Sequence, residues 1–291
     1  MAIEKSQLTE AEKQVVIAQA LDTDEGRVAL AQAMVEPIRR SLEYQAVGRK
    51  LLLIDQLPQG ALPRYERDVA AIAHVLPRRG AVPDQIQEGE EILVPTFEIA
   101  ANPQIRMSEI RARRFYIVDR AQIKAKEAIQ KEEDACIFRS LIAAVTNNGT
   151  QIVQNGPAAL APGSLNEAFR MIEQHDLVAS KVIVHANIYA NIRFFGQNFY
   201  DPATTREIIT SGLFGHIWTA DIHVSSKMDP DTVLVVSSPD TVGVFPIRQD
   251  ITVLPADDPK KLRLGWVIYE EVGIVIINDY AASMVEMTTT S

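Results

Sequence analysis

The chain has 291 residues, 47% apolar and 23% charged, with a net charge of −9 and an isoelectric point near 5.2. At roughly 100–200 residues per domain this is one large globular domain or two modest ones, with ample material for a core. The acidic balance argues against a nucleic-acid reader, which needs a basic face for phosphate contacts, and no window reaches the ~18 consecutive apolar residues of a membrane span. The polar start MAIEKSQLTEAEKQ has no apolar core of the kind a secretory leader carries. The one cysteine, Cys136, cannot form an internal disulfide, which points to a reducing compartment. In the apolar run Ala135–Phe138 it is expected as a small buried hydrophobe.

Residues 1–50 read as polar and helical, with a helix start at Thr9–Glu12 and an apolar stripe of Leu30, Ala33, Met34 and Ile38 that Pro37 ends or bends. Too short and polar to fold alone, the segment is expected to be an arm that docks elsewhere. Residues 51–119 change texture. Prolines and glycines separate strand-like runs at Val69–Leu76, Glu91–Val94, Phe97–Ala100 and Phe115–Val118, with a turn at Pro77–Gly80. An extended hairpin of this kind buries little of itself and needs a partner surface. Residues 51–123 hold no lysine but nine arginines, at 64, 67, 78, 79, 106, 111, 113, 114 and 120. Arginine makes planar, multi-donor contacts with carboxylates. Arg64, Arg67, Arg78, Arg79, Arg106, Arg111, Arg113 and Arg114 are therefore candidates for an intersubunit surface.

Residues 120–147 read as the clearest helix, with Asp119 as N-cap, Glu127 and Lys131 paired at i,i+4, and Asn147-Asn148-Gly149 as the stop. Its polar first half is expected at the surface and its apolar second half in a core. Beyond it helix and strand alternate. A helix opens at Ser164 with a capping box to Glu167. Lys181–His185 is a strand, Ala186–Phe195 a helix, and Asp201-Pro202 starts another helix running to Thr210. Strands follow at Ile217–Ser225, Val233–Ser237, Val242–Arg248 and Ile251–Leu254, the last two split by a turn. Leu262–Glu270 and Gly273–Asn278 form a paired ending, and Ser283–Met287 is the last strand.

Common catalytic signatures are missing: no Gly-rich phosphate loop, no H-E-x-x-H and no G-x-S-x-G. The histidines, His74, His175, His185, His216 and His223, show no metal-ligand spacing and are expected to be structural. Glu132-Glu133-Asp134 is expected to be a solvated face, since consecutive helical residues point apart. No catalytic residue, metal site or cofactor is expected.

The order of parts is arm, extended hairpin, long helix, mixed α/β region and closing strands. Several phrases carry a family texture: Glu91–Pro95 followed by Phe97–Ala100, Arg113–Ala121, the acidic triplet at 132–134, Gly265–Glu270, Gly273–Asn278 and Ala281–Val285. In this order they resemble the major capsid proteins of tailed bacteriophages, the Hong Kong 97-like capsid fold shared with encapsulins. The resemblance implies an α+β fold with an N-terminal arm at 1–50, an extended loop with flanking strands at 51–119, a spine helix at 120–149, an axial domain at 150–264 and closing strands at 265–291. It implies no enzyme but a structural protein of the virion. Many copies would assemble, as pentamers and hexamers in the host cytoplasm, into an icosahedral head enclosing double-stranded DNA without sequence-specific binding. Portal, a separate scaffolding protein and possible decoration proteins would be its partners, and no membrane is involved. Two features depart from some members. The lysine-free loop cannot supply the lysine of a lysine–asparagine crosslink, and fifty residues before the loop are too few for an attached scaffolding segment. An encapsulin-like compartment and a cytosolic α/β enzyme stay open as alternatives.

Overall fold

The computed structural model describes residues 47–58, 60–66, 91–109, 116–156, 159–193, 195 and 215–287. Most of the expected arm, the strand at 69–76, the turn at 77–80 and the helix at 201–210 lie outside these residues. In chain order the elements are a 3-10 turn (Gly48–Lys50), β1 (Leu53–Gln56), β2 (Arg64–Glu66), β3 (Glu91–Leu93), β4 (Phe97–Ala101), β5 (Gln104–Arg106), α1 (Tyr116–Asn148) and β6 (Ile152–Asn155). There follow α2 (Pro162–Glu173), β7 (Ala179–Val184), α3 (Ala186–Arg193), β8 (His216–Ile217), β9 (Ala220–Val224), β10 (Thr232–Ser237) and α4 (Pro239–Val242). The chain ends with β11 (Gly243–Pro255), a second 3-10 turn (Pro259–Lys261), β12 (Arg263–Val272), β13 (Val275–Ile276) and β14 (Ala282–Met287).

Two compact units form, each from distant parts of the sequence. Among the described residues one comprises Phe97–Asp134 and Ile247–Val272, and the other Val47–Thr96, Ala135–Pro246 and the chain from Gly273 on. The second unit is built on a six-stranded sheet ordered β6-β14-β10-β7-β9-β8. β10 lies inside it, antiparallel to both β14 and β7. All of Thr232–Ser237 is buried, which is why this strand is a near-continuous apolar run rather than an alternating one. α2 packs on one face. Leu165, Ala168, Phe169 and Ile172, at helical spacing, meet Val182, Val184, Val233, Val235 and Val285. Ser283 Oγ, fully buried, donates to the Ala168 carbonyl at 2.8 Å and joins sheet to helix.

α2 starts two residues before the expected Ser164. Pro162 takes the first turn, where its fixed φ suits a helix and its missing N–H is no loss. The capping box does not form. Asn155 at the end of β6 supplies the cap instead: its Oδ1 accepts from the Ala161 N–H at 3.2 Å and from the Ser164 hydroxyl at 2.8 Å, while Glu167 turns to Arg170.

In the first unit β12 pairs antiparallel with the later part of β11, and on its other side with β4 and β5. The expected turn between 248 and 251 is a distortion inside one 13-residue strand. The ladder shifts register between Ile247 and Gln249 and again before Thr252. The polar stretch is absorbed because Gln249 Nε2 bonds Thr252 and Tyr269, and Asp250 Oδ1 accepts the Ile251 N–H. The expected pairing of the two closing runs is also replaced: β12 pairs with β11, β4 and β5, whereas β13 pairs with the first residues of β11 in the second unit. That last contact is close. A Cβ on Gly243 would overlap the Val275 carbonyl oxygen.

α1 has 33 residues, roughly 50 Å at 1.5 Å per residue. It begins at Tyr116, so the expected strand at 115–118 is helix from there on, and Asp119 lies inside it rather than capping it. Ile117 and Val118 favour strands locally, but tertiary context overrides so weak a preference. The far end is as expected: Gly149 is left-handed at φ +68° and donates to the Val145 carbonyl. Ala125, Ile129, Glu133, Ile137, Leu141 and Val145 are all buried, one row at every fourth residue.

Candidate functional site

With no ligand-binding constellation in the sequence, the surfaces left uncovered by the fold are the candidate site. β2 and β3 form a two-stranded antiparallel hairpin, with Arg64 opposite Leu93 and Glu66 opposite Glu91. Alternation decides what each side does. Tyr65 and Ile92 face inward, onto Val94, Val244 and Val275. The Tyr65 hydroxyl donates to Asp55 at 2.7 Å and ties the hairpin to β1. Burial first, then that hydrogen bond and the Asp55 charge, push the Tyr65 pKa well above the ordinary phenol value. The outward side carries Leu93, 60% exposed, and Leu62 lies 58% exposed beside the first strand. The signal for Leu93 was present in the sequence: if Ile92 and Val94 point inward, Leu93 points out.

Of the candidate arginines, Arg64 and Arg106 fall among the described residues. Arg67, Arg78, Arg79, Arg111, Arg113 and Arg114 do not. Arg64 Nη1 bonds Glu91 Oε1 at 3.2 Å across the hairpin, both side chains more than half exposed. An exposed pair of this kind contributes about 0–1 kcal/mol, so within one copy Arg64 already has a partner. Arg106, exposed on β5, stands opposite Arg263 of β12. Arg64 and Arg106 belong to different units.

The acidic triplet is not a solvated face. Glu132 is exposed, but Glu133 is 0% exposed and Asp134 is buried. Glu133 occupies the every-fourth-residue row between Ile129 and Ile137, so helical periodicity rather than polarity sets its position. Cys136 is only partly buried, with the Arg139 guanidinium 3.6 Å from its sulfur.

The described histidines are engaged one at a time. His216 Nδ1 lies 2.6 Å from Asp221 at the β8–β9 edge. His175 packs its ring on Tyr280, with centroids 4.3 Å apart. His185 Nδ1 accepts from the Asn187 N–H. His223, on β9, is shifted below the ordinary imidazole value by burial and then by the Lys50 and Lys181 charges. His74 lies outside the described residues. Among the described residues no group of three or more His, Cys, Asp or Glu side chains could hold a metal ion.

Sequence reasoning missed the turns. Ile217–Ser225 is not one strand. Trp218 and Thr219 form a tight turn that sends the chain back antiparallel, with His216 opposite Asp221. Trp218 has φ +51° and meets Phe169 edge-on at 5.0 Å while staying partly exposed. Leu262, between the second 3-10 turn and β12, also has φ +51°. Nothing local in the sequence marks either, since glycine is the usual residue at positive φ.

No protein-family model matches the chain, and no curated protein matches it in sequence. Solved structures do match in fold. The mature capsid of bacteriophage PhiM1 superposes with a TM-score of 0.63 at 9% identity, covering 85% of this chain and 89% of that one. The capsid of cyanophage P-SCSP1u gives 0.62 at 11%, covering 84% and 89%. A virus-like particle from Pyrococcus furiosus gives 0.57 at 14%, covering 86% and 98%. The chain therefore has the phage capsid fold, the one that its order of elements resembles.

Proposed function

We propose that the chain is the major capsid protein of a tailed phage, a structural subunit rather than an enzyme, which self-assembles into the closed head enclosing the viral DNA. The observation that carries this is the likeness to two phage capsids over more than four-fifths of both chains. The uncovered hairpin supports it. A two-stranded hairpin is marginal alone, and an outward face bearing Leu62 and Leu93 is completed when a neighbouring copy covers it. Repeated contacts of this heterologous kind close into rings, from which shells are built. On this reading residues 1–50 are the arm, 51–119 the extended loop with its flanking strands, 120–149 the spine, 150–264 the axial domain and 265–291 the closing strands. The candidate arginines lie between copies. Portal, a separate scaffolding protein and decoration proteins are the further partners, assembly takes place in the host cytoplasm, and the virion head is the final location.

The test is expression of the full chain followed by sedimentation and negative-stain imaging. Large closed particles or ring-shaped capsomers are expected, and a small discrete oligomer would overturn the proposal. The likeness to the Pyrococcus furiosus particle, which spans 98% of that chain, keeps an encapsulin-like compartment as the second reading. Particle contents separate the two: packaged DNA for the capsid, a protein cargo for the compartment.

A further inference from the structure

The face of the six-stranded sheet that turns away from α2 carries a charged cluster. Val182, Val184, Ala220 and Ile222 point to α2. Alternation therefore puts Lys181 and Ile183 of β7, with Asp221 and His223 of β9, on the other face. In the parallel ladder Lys181 stands opposite Asp221 and Ile183 opposite His223, which makes Lys181 and His223 diagonal neighbours. The Lys181 ammonium donates to the Lys50 carbonyl and ties the 3-10 turn Gly48–Lys50 to this face. Leu51 and Leu52, directly after the turn, are buried, and the Arg49 guanidinium lies 5.6 Å from the centre of the Phe245 ring. The chain thus enters the second unit along a seam that has a lysine and a histidine side by side at one of its fastenings.

The groups around half-buried His223 disfavour a charge on it. Burial acts first, then the charge of Lys50 on the turn and that of Lys181 on β7. Asp221 acts in the opposite sense and is the weakest of these influences. Its carboxylate also has His216 Nδ1 of β8 at 2.6 Å. Asp240 of α4 bears on Lys181, whose own amine is held below the ordinary value by burial above all. His185 follows β7, and its Nδ1 accepts the Asn187 N–H. Two amines and an imidazole therefore share a spot that is built for the neutral form of the imidazole.

We propose that His223 is a pH-sensitive latch on residues 47–52: when it takes a proton, its charge drives the Lys181 amine off the Lys50 carbonyl, and the turn lets go of the sheet. Repulsion between like charges strengthens where water is excluded. His223 is held in the ladder with β7 and cannot retreat. The turn belongs to no ladder, so it is the part that moves. The direction in pH follows from the depressed imidazole. His223 is neutral and the turn held above about 6.5, the ordinary value that the group regains when the turn opens, and the hold is lost as pH falls through and below it. What is released is the root of the chain before Val47, which is the arm on the proposed reading. The latch itself depends only on residues 47–52, Lys181 and His223.

Amide hydrogen exchange of the full chain, as dispersed subunit, tests this by reporting local opening. After correction for the intrinsic pH dependence of exchange, protection across residues 47–52 should fall by up to about tenfold between about pH 7.5 and about pH 5.5. That limit is set by the ordinary histidine value near 6.5 in the open turn. Protection of β10, Thr232–Ser237, should hold over the same range. His223→Gln should keep the turn equally protected at both pH values, and Lys181→Met, which removes the donor, should leave it poorly protected already at the higher one. Equal protection of 47–52 at both pH values in the parent would overturn the latch. So would an unchanged pH dependence in His223→Gln, its disappearance in His185→Gln or His216→Gln instead, or an equal loss at Thr232–Ser237, which is global unfolding. Should His223→Gln fail to fold, Lys181→Met decides: a turn as well protected as the parent's at the higher pH overturns the latch. Particle formation is a separate readout, so a parent that forms no particles but shows this exchange pattern fails the shell reading and keeps the latch.

Discussion

Two strand systems in the second unit stand at opposite extremes. β10 has neighbours on both edges and every residue buried, whereas among the described residues β2 and β3 pair only with each other and show the solvent every other side chain. The sheet around β10 is finished within one copy, its apolar area covered by α2 and its ladder closed by β7 and β14. The hairpin is finished only on its inner side. On the proposed reading this separates two roles: the sheet makes the subunit, and the open strands make the assembly. Substitutions in the two should therefore differ in which measurement they move.

The largest expected effect breaks the finished part. Phe169→Ala removes a buried ring from the α2–sheet core, and its edge contact with Trp218, and should cost about 3–5 kcal/mol in urea unfolding of dispersed subunit. Loss of less than ~1 kcal/mol would mean the core is not where α2 meets the sheet. Next, Asn155→Ala removes the oxygen that caps α2 from β6, with an expected cost of about 1–2 kcal/mol. Ser164→Ala should cost less, because the Ala161 N–H keeps its acceptor.

Acid should act on the sheet rather than the hairpin. Burial, and then Lys50 and Lys181, depress the His223 pKa in the folded protein. The unfolded chain therefore binds the proton first as pH falls. Stability from this group is complete above the ordinary value near 6.5 and is lost as pH falls through and below it. His223→Gln should flatten the fall in the urea midpoint between about pH 7.5 and about pH 5.5. An identical slope in the variant would assign the acid sensitivity to other groups.

The smallest effect on stability is expected at the open hairpin. Leu93→Asp changes an exposed residue and should shift unfolding by no more than about 0.5 kcal/mol. The same change should suppress particle formation, read as loss of the fast-sedimenting species. Full assembly of this variant would remove the hairpin from the list of contact surfaces. The parent particles should also dissociate fully to single chains on a denaturing gel, because the lysine-free loop offers no amine for a covalent link between copies.

Sequence alone determined the order of parts and much of the local structure. A long helix ending at Asn147-Asn148-Gly149 was legible because glycine there meets a backbone requirement that few residues satisfy. The strand at 233–237 was legible because a fully buried strand must be apolar throughout. The inward and outward sides of β3 follow from alternation, and the fold class from elements in a characteristic sequence. What only the tertiary structure decided are matters of partnership between distant residues. Glu133 is buried because its row on α1 is buried, although its chemistry and two acidic neighbours suit solvent. Asn155 caps α2 from another element, so the local capping-box pattern at Ser164 and Glu167 goes unused. β12 pairs with β11 rather than with β13, a register choice that no window of sequence contains. Trp218 and Leu262 hold positive φ because the strands on either side fix the turn, against the preference of the residues themselves. Local preferences of a few tenths of a kcal/mol lose to packing terms several times larger. The departures from the sequence expectation therefore fall where distant chain segments meet.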